Sequence, residues 1–179
     1  MKKLLSLLVV LTMTLGAMAQ SQHLKFMGIP LNGTISAFHQ KLVAKGYKPD
    51  VEVNKRSRPG SRYFKGTFFG SEAVVYVYYN PKTKIVYRAK AVLKYTSEGI
   101  MQSVYQELKV ALGEKYSGAL VSKGESHGYE DMTYYVDEGR IDLFCAKYDL
   151  SYPTYYNVYV DYWDDINSKK NEDKNMDDL

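Results

Sequence analysis

Apolar residues recur along this chain with two different periods, and the switches between them mark out its elements. In the segment from Thr34 to Gly46, Ile35, Phe38 and Leu42 fall on one face at helical spacing. Thr34 can cap the free amides at the start, and Gly46 suits the left-handed stop, so a helix is expected here. A turn-rich stretch from Lys48 to Arg62 follows, with a short strand expected at Val51 to Val53. Three strand-like runs come next: Tyr63 to Phe69, Ala73 to Tyr79 and Lys84 to Tyr95. Gly70-Ser71-Glu72 and Asn80-Pro81-Lys82-Thr83 separate them as hairpin turns. The third run alternates, with Ile85, Tyr87, Ala89, Ala91, Leu93 and Tyr95 on the expected buried face. Lys84, Val86, Arg88, Lys90, Val92 and Lys94 take the wet face, as in an antiparallel strand exposed on one side.

The pattern then restarts. Thr96-Ser97-Glu98 opens a second helix with the expected stripe Ile100, Val104, Leu108, Ala111 and Leu112. A glycine-bearing loop (Gly118, Gly124, Gly128) leads to strands at Asp131 to Val136, Arg140 to Tyr148 and Tyr155 to Trp163. Asp137-Glu138-Gly139 and the stretch from Asp149 to Thr154 provide their turns. Thr67-Phe68-Phe69 has a counterpart in Thr133-Tyr134-Tyr135. The expected fold is therefore α+β: two tandem repeats, about 34–95 and 96–166, each a helix followed by an antiparallel meander. Together they supply six to eight strands, with the helices packed on one side of the sheet.

This order of elements resembles the β-lactamase-inhibitor-protein fold, a tandem helix-plus-antiparallel-sheet repeat, and more distantly the small envelope lipoproteins of outer-membrane assembly. The opening Phe26-Met27-Gly28-Ile29-Pro30-Leu31-Asn32-Gly33-Thr34 resembles that of secreted Bacteroidales proteins with no assigned function. What the resemblance implies is a fold, not an inhibitor's activity.

Before the repeats, Lys2 and Lys3 precede an apolar stretch from Leu4 to Leu15 and the small-residue end Ala17-Met18-Ala19. That is the three-part pattern of a secretory signal peptide at residues 1–19. The apolar run falls short of the roughly 20 residues that a bilayer-spanning helix needs. Export to the periplasm or the medium is expected, with a single domain over 20–166 and no membrane span. Residues 167–179 carry charges and amides with few apolar side chains and read as a disordered tail. The one cysteine, Cys145, cannot form an internal disulfide and shares a strand face with Ile141 and Leu143, so a buried apolar role is expected.

Composition adds two features. Residues 34–95 hold thirteen Lys and Arg against three Asp and Glu, while residues 96–166 hold five against thirteen, so a net charge of +4 conceals a strong dipole. The densest basic point, on an expected loop, is Lys55, Arg56, Arg58 and Arg62. The chain also has 18 tyrosines, an unusual number beside its leucines. In the last strand, Tyr155, Tyr159 and Trp163 alternate with Asn157 and Asp161 on the face opposite Tyr156, Val158, Val160 and Tyr162. Such a platform suits stacking or a protein contact.

No nucleophile elbow, phosphate loop, paired-cysteine motif or calcium loop is present, and the three histidines lie at no metal-ligand spacing. No catalytic residue, metal or cofactor is expected. The expected function is a secreted, non-catalytic module that binds a macromolecule through an aromatic and basic sheet surface. Its partner would be a protein or an anionic envelope glycan or lipid, and not nucleic acid. An enzyme without a recognisable signature is the remaining alternative.

If residues 1–19 are an export signal, intact-mass measurement on protein recovered from the cell envelope or medium gives a chain beginning at Gln20. A start at Met1, or a lipid-modified chain, is the opposite result.

Overall fold

The computed structural model describes residues 22–148 and 153–176. The expected signal segment and residues 149–152 of the expected turn lie outside the described residues. The element order is β1 (Lys25–Phe26), β2 (Ile29–Pro30), α1 (Ile35–Ala44), β3 (Lys48–Pro49), α2 (Val51–Arg56), β4 (Ser61–Phe68), β5 (Ser71–Tyr79) and β6 (Val86–Tyr95). It continues with α3 (Glu98–Lys115), β7 (Leu120–Ser126), β8 (Tyr129–Val136), β9 (Gly139–Tyr148), β10 (Tyr155–Asp164) and α4 (Asp165–Met176). Strands β1 and β2 form a small hairpin, and the other eight form one antiparallel sheet in the order β3-β4-β5-β6-β10-β9-β8-β7. The four strands after α1 and the four after α3 are thus joined through the last strand of each set.

Helices α1 and α3 start where a side chain satisfies an orphan amide: Thr34 accepts from the Ala37 N–H, and Ser97 from that of Ile100. Helix α1 buries Phe38 and Leu42 against the sheet. Helix α3 buries Met101, Tyr105, Leu108 and Leu112, whereas Ile100 is 55% exposed. The expected Leu108 and Leu112 are buried, but in the first turns Met101 and Tyr105 take the core positions in place of Ile100, with Val104 partly buried beside them. Val75, Val77, Ala89, Ala91, Leu93, Ile141, Leu143, Val158 and Val160 complete a single core.

Two hairpin turns differ from expectation. Phe69 and Gly70 both have positive φ (50° and 75°), as do His127 and Gly128 (55° and 79°). Two consecutive left-handed residues make the tight turn whose twist matches that of the flanking strands. The first turn is therefore Phe69-Gly70 and not Gly70-Ser71-Glu72. The second converts the expected glycine-bearing loop into the hairpin β7–β8. Strand β4 corresponds to β8 and β5 to β9, each 68 residues on, so Thr67-Phe68-Phe69 and Thr133-Tyr134-Tyr135 are offset by two residues from structural equivalence.

Three more elements differ from expectation. The stretch at Val51 to Val53 is helical, because Asp50 caps it by accepting from the Val53 N–H and Glu52 and Lys55-Arg56 suit its two ends. In β6 the alternation slips: Tyr79 pairs with Val86 and Tyr78 with Arg88, leaving Tyr87 as an extra residue. That bulge places Val86 on the buried side and removes Ile85 and Tyr87 from it. Residues 167–176, expected to be disordered, belong to α4. Its start is fixed by the fully buried Asp164, which accepts from the N–H groups of Asn167 (2.9 Å) and Leu24 (3.0 Å) and lies 2.9 Å from His23 Nδ1. Asn167 in turn donates to the Leu31 carbonyl at 2.7 Å.

Close packing also shows at Gly66, where a Cβ would lie 2.4 Å from the ring of buried Tyr47. The Tyr47 hydroxyl donates to the Thr67 carbonyl at 2.6 Å. Cys145 is 2% exposed on β9 and carries the apolar role expected of it.

Burial pushes the phenols of Tyr47 and Tyr78 up to about 12, and the Cys145 thiol to about 12; Tyr105 and Tyr162 are also raised by burial. Unfolded, such groups ionise at about 8.5 to 10. Above that range the unfolded chain has released protons that the folded chain retains, so stability falls as pH rises and is independent of these groups below it. Urea melts at rising pH are expected to show a constant midpoint up to about pH 8.5 and a falling one from there towards about 12.

Candidate interaction surface

The sheet turns one face to α1 and α3, and residues of opposite parity point away from them. Strand pairing lines these up in rows. One row runs Tyr78-Arg88-Trp163-Arg140-Tyr135, consecutive partners across β5, β6, β10, β9 and β8. The next runs Tyr63-Tyr76-Lys90-Asp161-Asp142-Thr133. A third places Lys65, Val74, Val92, Tyr159 and Phe144 side by side.

The first row is a ladder of alternating rings and guanidinium groups. Arg88 lies 4.6 Å from the Tyr78 ring centre and 3.7 Å from that of Trp163, and Arg140 lies 4.6 Å from Trp163. Such contacts contribute about 0.5 to 2 kcal/mol each, more where water is excluded. Arg88 also forks onto Asp161, with Nε to Oδ1 at 2.9 Å and a shorter second bond from Nη2 to Oδ2. Asp161 is 2% exposed although it lies on the more polar face of β10. The reason is that Arg88, diagonally across the strand pair from it, reaches over with two charge-assisted hydrogen bonds that replace the carboxylate's hydration.

In the second row the Lys90 ammonium lies 5.2 Å from the ring of Tyr76, 5.7 Å from Tyr159 and 6.0 Å from Tyr78. Desolvation holds its pKa below the usual lysine value, with the Arg88 charge acting in the same direction and Asp161 opposing it. Tyr63 meets Tyr76 edge-on at 4.8 Å, and Tyr159 stacks on Phe144 at 4.6 Å. Arg140 pairs with Asp142 at 3.2 Å, whereas Lys90 and Lys94 make no ion pair among the described residues.

The expected platform residues are all on this face, but none presents a free ring. Trp163 is flanked by Arg88 and Arg140, Tyr159 lies on Phe144, and the Lys94 ammonium sits 3.3 Å over Tyr155. Two buried polar atoms here, Trp163 Nε1 and Asn157 Oδ1, lack a hydrogen-bond partner.

The expected basic residues lie elsewhere. Lys55 and Arg56 are in α2, with Lys55 paired to Glu52 at 3.0 Å, and Arg58 follows that helix. Arg62 is on the helix side of β4, 5.6 Å from the core residue Tyr79. The four therefore do not join the aromatic platform. Its cations are instead Arg88, Lys90 and Lys94 of β6 and Arg140 of β9. The alternation of β6 put the first three on a wet face, but only the pairing of β6 with β10 sets them against Tyr155, Tyr159 and Trp163, which lie far away in sequence.

At one corner the face dips into a hollow of about 560 Å³, lined among others by Lys48, Lys65, Lys94, Glu72 and Tyr155. Lys65 is paired there with Asp50 at 2.8 Å, which with the Val53 amide holds the Asp50 carboxyl below its usual range. Among the described residues no group of three or more His, Cys, Asp or Glu is placed to hold a metal ion, and no helix is long and apolar enough to cross a membrane. Comparison with protein-family models, curated proteins and solved structures returns no match to this chain.

Removing the Asp161 carboxylate leaves the Arg88 guanidinium desolvated without its partner. Asp161→Ala is expected to destabilise the fold by roughly 3 kcal/mol. Arg88→Met combined with Asp161→Leu should cost clearly less than the two single changes summed, by about 2 kcal/mol in a denaturation double-mutant cycle.

Proposed function

We propose that this chain is an exported, non-catalytic interaction module that binds a protein with an acidic surface across the sheet face turned away from α1 and α3. The observation that carries this reading is the ladder Tyr78-Arg88-Trp163-Arg140-Tyr135 beside the lysine Lys90. Tyr, Trp and Arg are the side chains that most often anchor protein interfaces. Held by stacking and by strand register, they lose little further freedom when a partner arrives. Asp161 and Asp142 are already matched by Arg88 and Arg140, so Lys90 and Lys94 leave the face positive and favour acidic partners. The occupied rings argue against simple stacking of a sugar.

A second reading is supported by the hollow beside Tyr155. Its rim carries Lys48 and Lys94, with Lys65 shared with Asp50 and Glu72 nearby, a balance that still suits an anionic group such as that of an acidic envelope glycan or a lipid headgroup. Salt separates the two, since binding of a polyanion to exposed lysines weakens steeply with ionic strength and an aromatic interface largely persists.

The test is capture from an envelope extract by wild-type protein, by Tyr76→Ala with Lys90→Glu, and by Lys55→Glu with Arg58→Glu. The sheet-face pair is expected to lose the captured protein, by at least about tenfold for an anchor worth about 2 kcal/mol, while the α2 pair retains it. Loss with the α2 pair alone would move the site to the basic segment. Capture of glycan or lipid that disappears at about 0.5 M salt would favour the second reading.

A further inference from the structure

The sheet ends in two unlike edges. At one, β3 is only two residues long, contains Pro49 and runs into α2, all of which discourage further pairing. At the other, β7 spans seven residues, pairs only with β8 and contains no proline. Leu120 is 75% exposed and Val121 41%, and Ser122, Lys123, Gly124 and Glu125 are exposed as well. Its outer row of N–H and C=O groups is a template for another strand.

We infer that β7 pairs with the β7 of a second copy of this chain, antiparallel about a two-fold axis, so that the two sheets continue as one. A symmetric antiparallel pair places the axis perpendicular to the sheet, with one residue facing its own copy. With Lys123 at the axis, lysine faces lysine. With Ser122 there, Lys123 faces Val121 and Glu125 faces Ala119. With Gly124 there, Lys123 of each copy faces Glu125 of the other, twice by symmetry, and Ser122 faces Ser126. Opposite charges placed directly across a strand pair stabilise it and like charges oppose it, so charge selects the Gly124 register.

The single chain leaves both of these charges unmatched. Within the hairpin Lys123 lies opposite Met132 and Glu125 opposite Glu130, whose carboxylate is taken by Lys109 at 2.8 Å. Neither Lys123 nor Glu125 makes an ion pair among the described residues. Gly124 adds no side chain of its own at the axis, and the Asp131 carboxylate of β8 lies over it on the face away from Lys123 and Glu125. The perpendicular axis also keeps the helices of both copies on one side, and their aromatic ladders run on the other. The pairing does not depend on what that face binds.

Sedimentation velocity on the purified protein over about 1 to 100 µM tests the inference through its concentration dependence. A monomer–dimer equilibrium is expected. Lys123→Glu places carboxylates opposite each other twice and should weaken dimerisation by at least about tenfold. Lys123→Glu with Glu125→Lys restores opposite charges with reversed polarity and should return the dimer. Both positions are exposed, so far-UV circular dichroism should not change. A monomer throughout the range, a dimer that Lys123→Glu leaves intact, or a double variant that remains as weak as the single one would overturn it.

Discussion

The pairing of β6 with β10 is the contact on which the rest of the structure depends. Eight consecutive residue pairs, from Tyr95 with Tyr156 to Arg88 with Trp163, join the two four-stranded halves. On the helix side Ala89, Ala91 and Leu93 meet Val158, Val160 and Tyr162, all buried. The alanines are opposite larger residues, so the seam fills without crowding the helices above it. Without this pairing each half would end in a long hydrophobic edge, and α3, which contacts β6, β9 and β10, would lose part of its support.

The opposite side of the same seam determines the chemistry of the exposed face. Arg88 comes from the basic half and Asp161 from the acidic half, and their pairing is one place where the charge division is resolved within the fold. A buried carboxylate is tolerated only with close, directional donors, and the fork of Arg88 provides them. With Asp161 matched, neighbouring Lys90 is left among tyrosine rings, and Trp163 lies between two guanidinium groups. An interaction that joins two repeats therefore also produces a stiff, positive, aromatic surface.

The lead-in segment and α4 are both secured at the end of β10. Asp164, the last residue of β10, accepts from Leu24 near the start and from Asn167 in α4, and Asn167 reaches the Leu31 carbonyl. A single buried carboxylate thus links the lead-in segment, the central strand and the last helix. Its three partners satisfy the cost of burying it.

By itself the sequence determined the properties that depend on near neighbours. Capped amphipathic segments gave α1 and α3, alternation gave most strands, and the recurrence of the pattern gave a tandem α+β repeat. It also put Tyr155, Tyr159 and Trp163 on one face, because side-chain direction in a strand depends only on parity. Tertiary structure decided whatever depended on what lies across the sheet. Strand β7 has no apolar pattern of its own and exists by pairing with β8, and Val86 is buried because a bulge at Tyr87 shifts the phase of β6. Helix α4 is anchored by Asn167, which bonds residues more than 80 positions away. The candidate surface likewise draws its cations from residues adjacent in space and not from the cluster adjacent in sequence. Lys55, Arg56, Arg58 and Arg62 separate between α2 and the helix side of β4, while Arg88, Lys90 and Lys94 meet the aromatics of β10. Register between β6 and β10 is set by packing along the whole seam, and no local stretch of either strand contains that information.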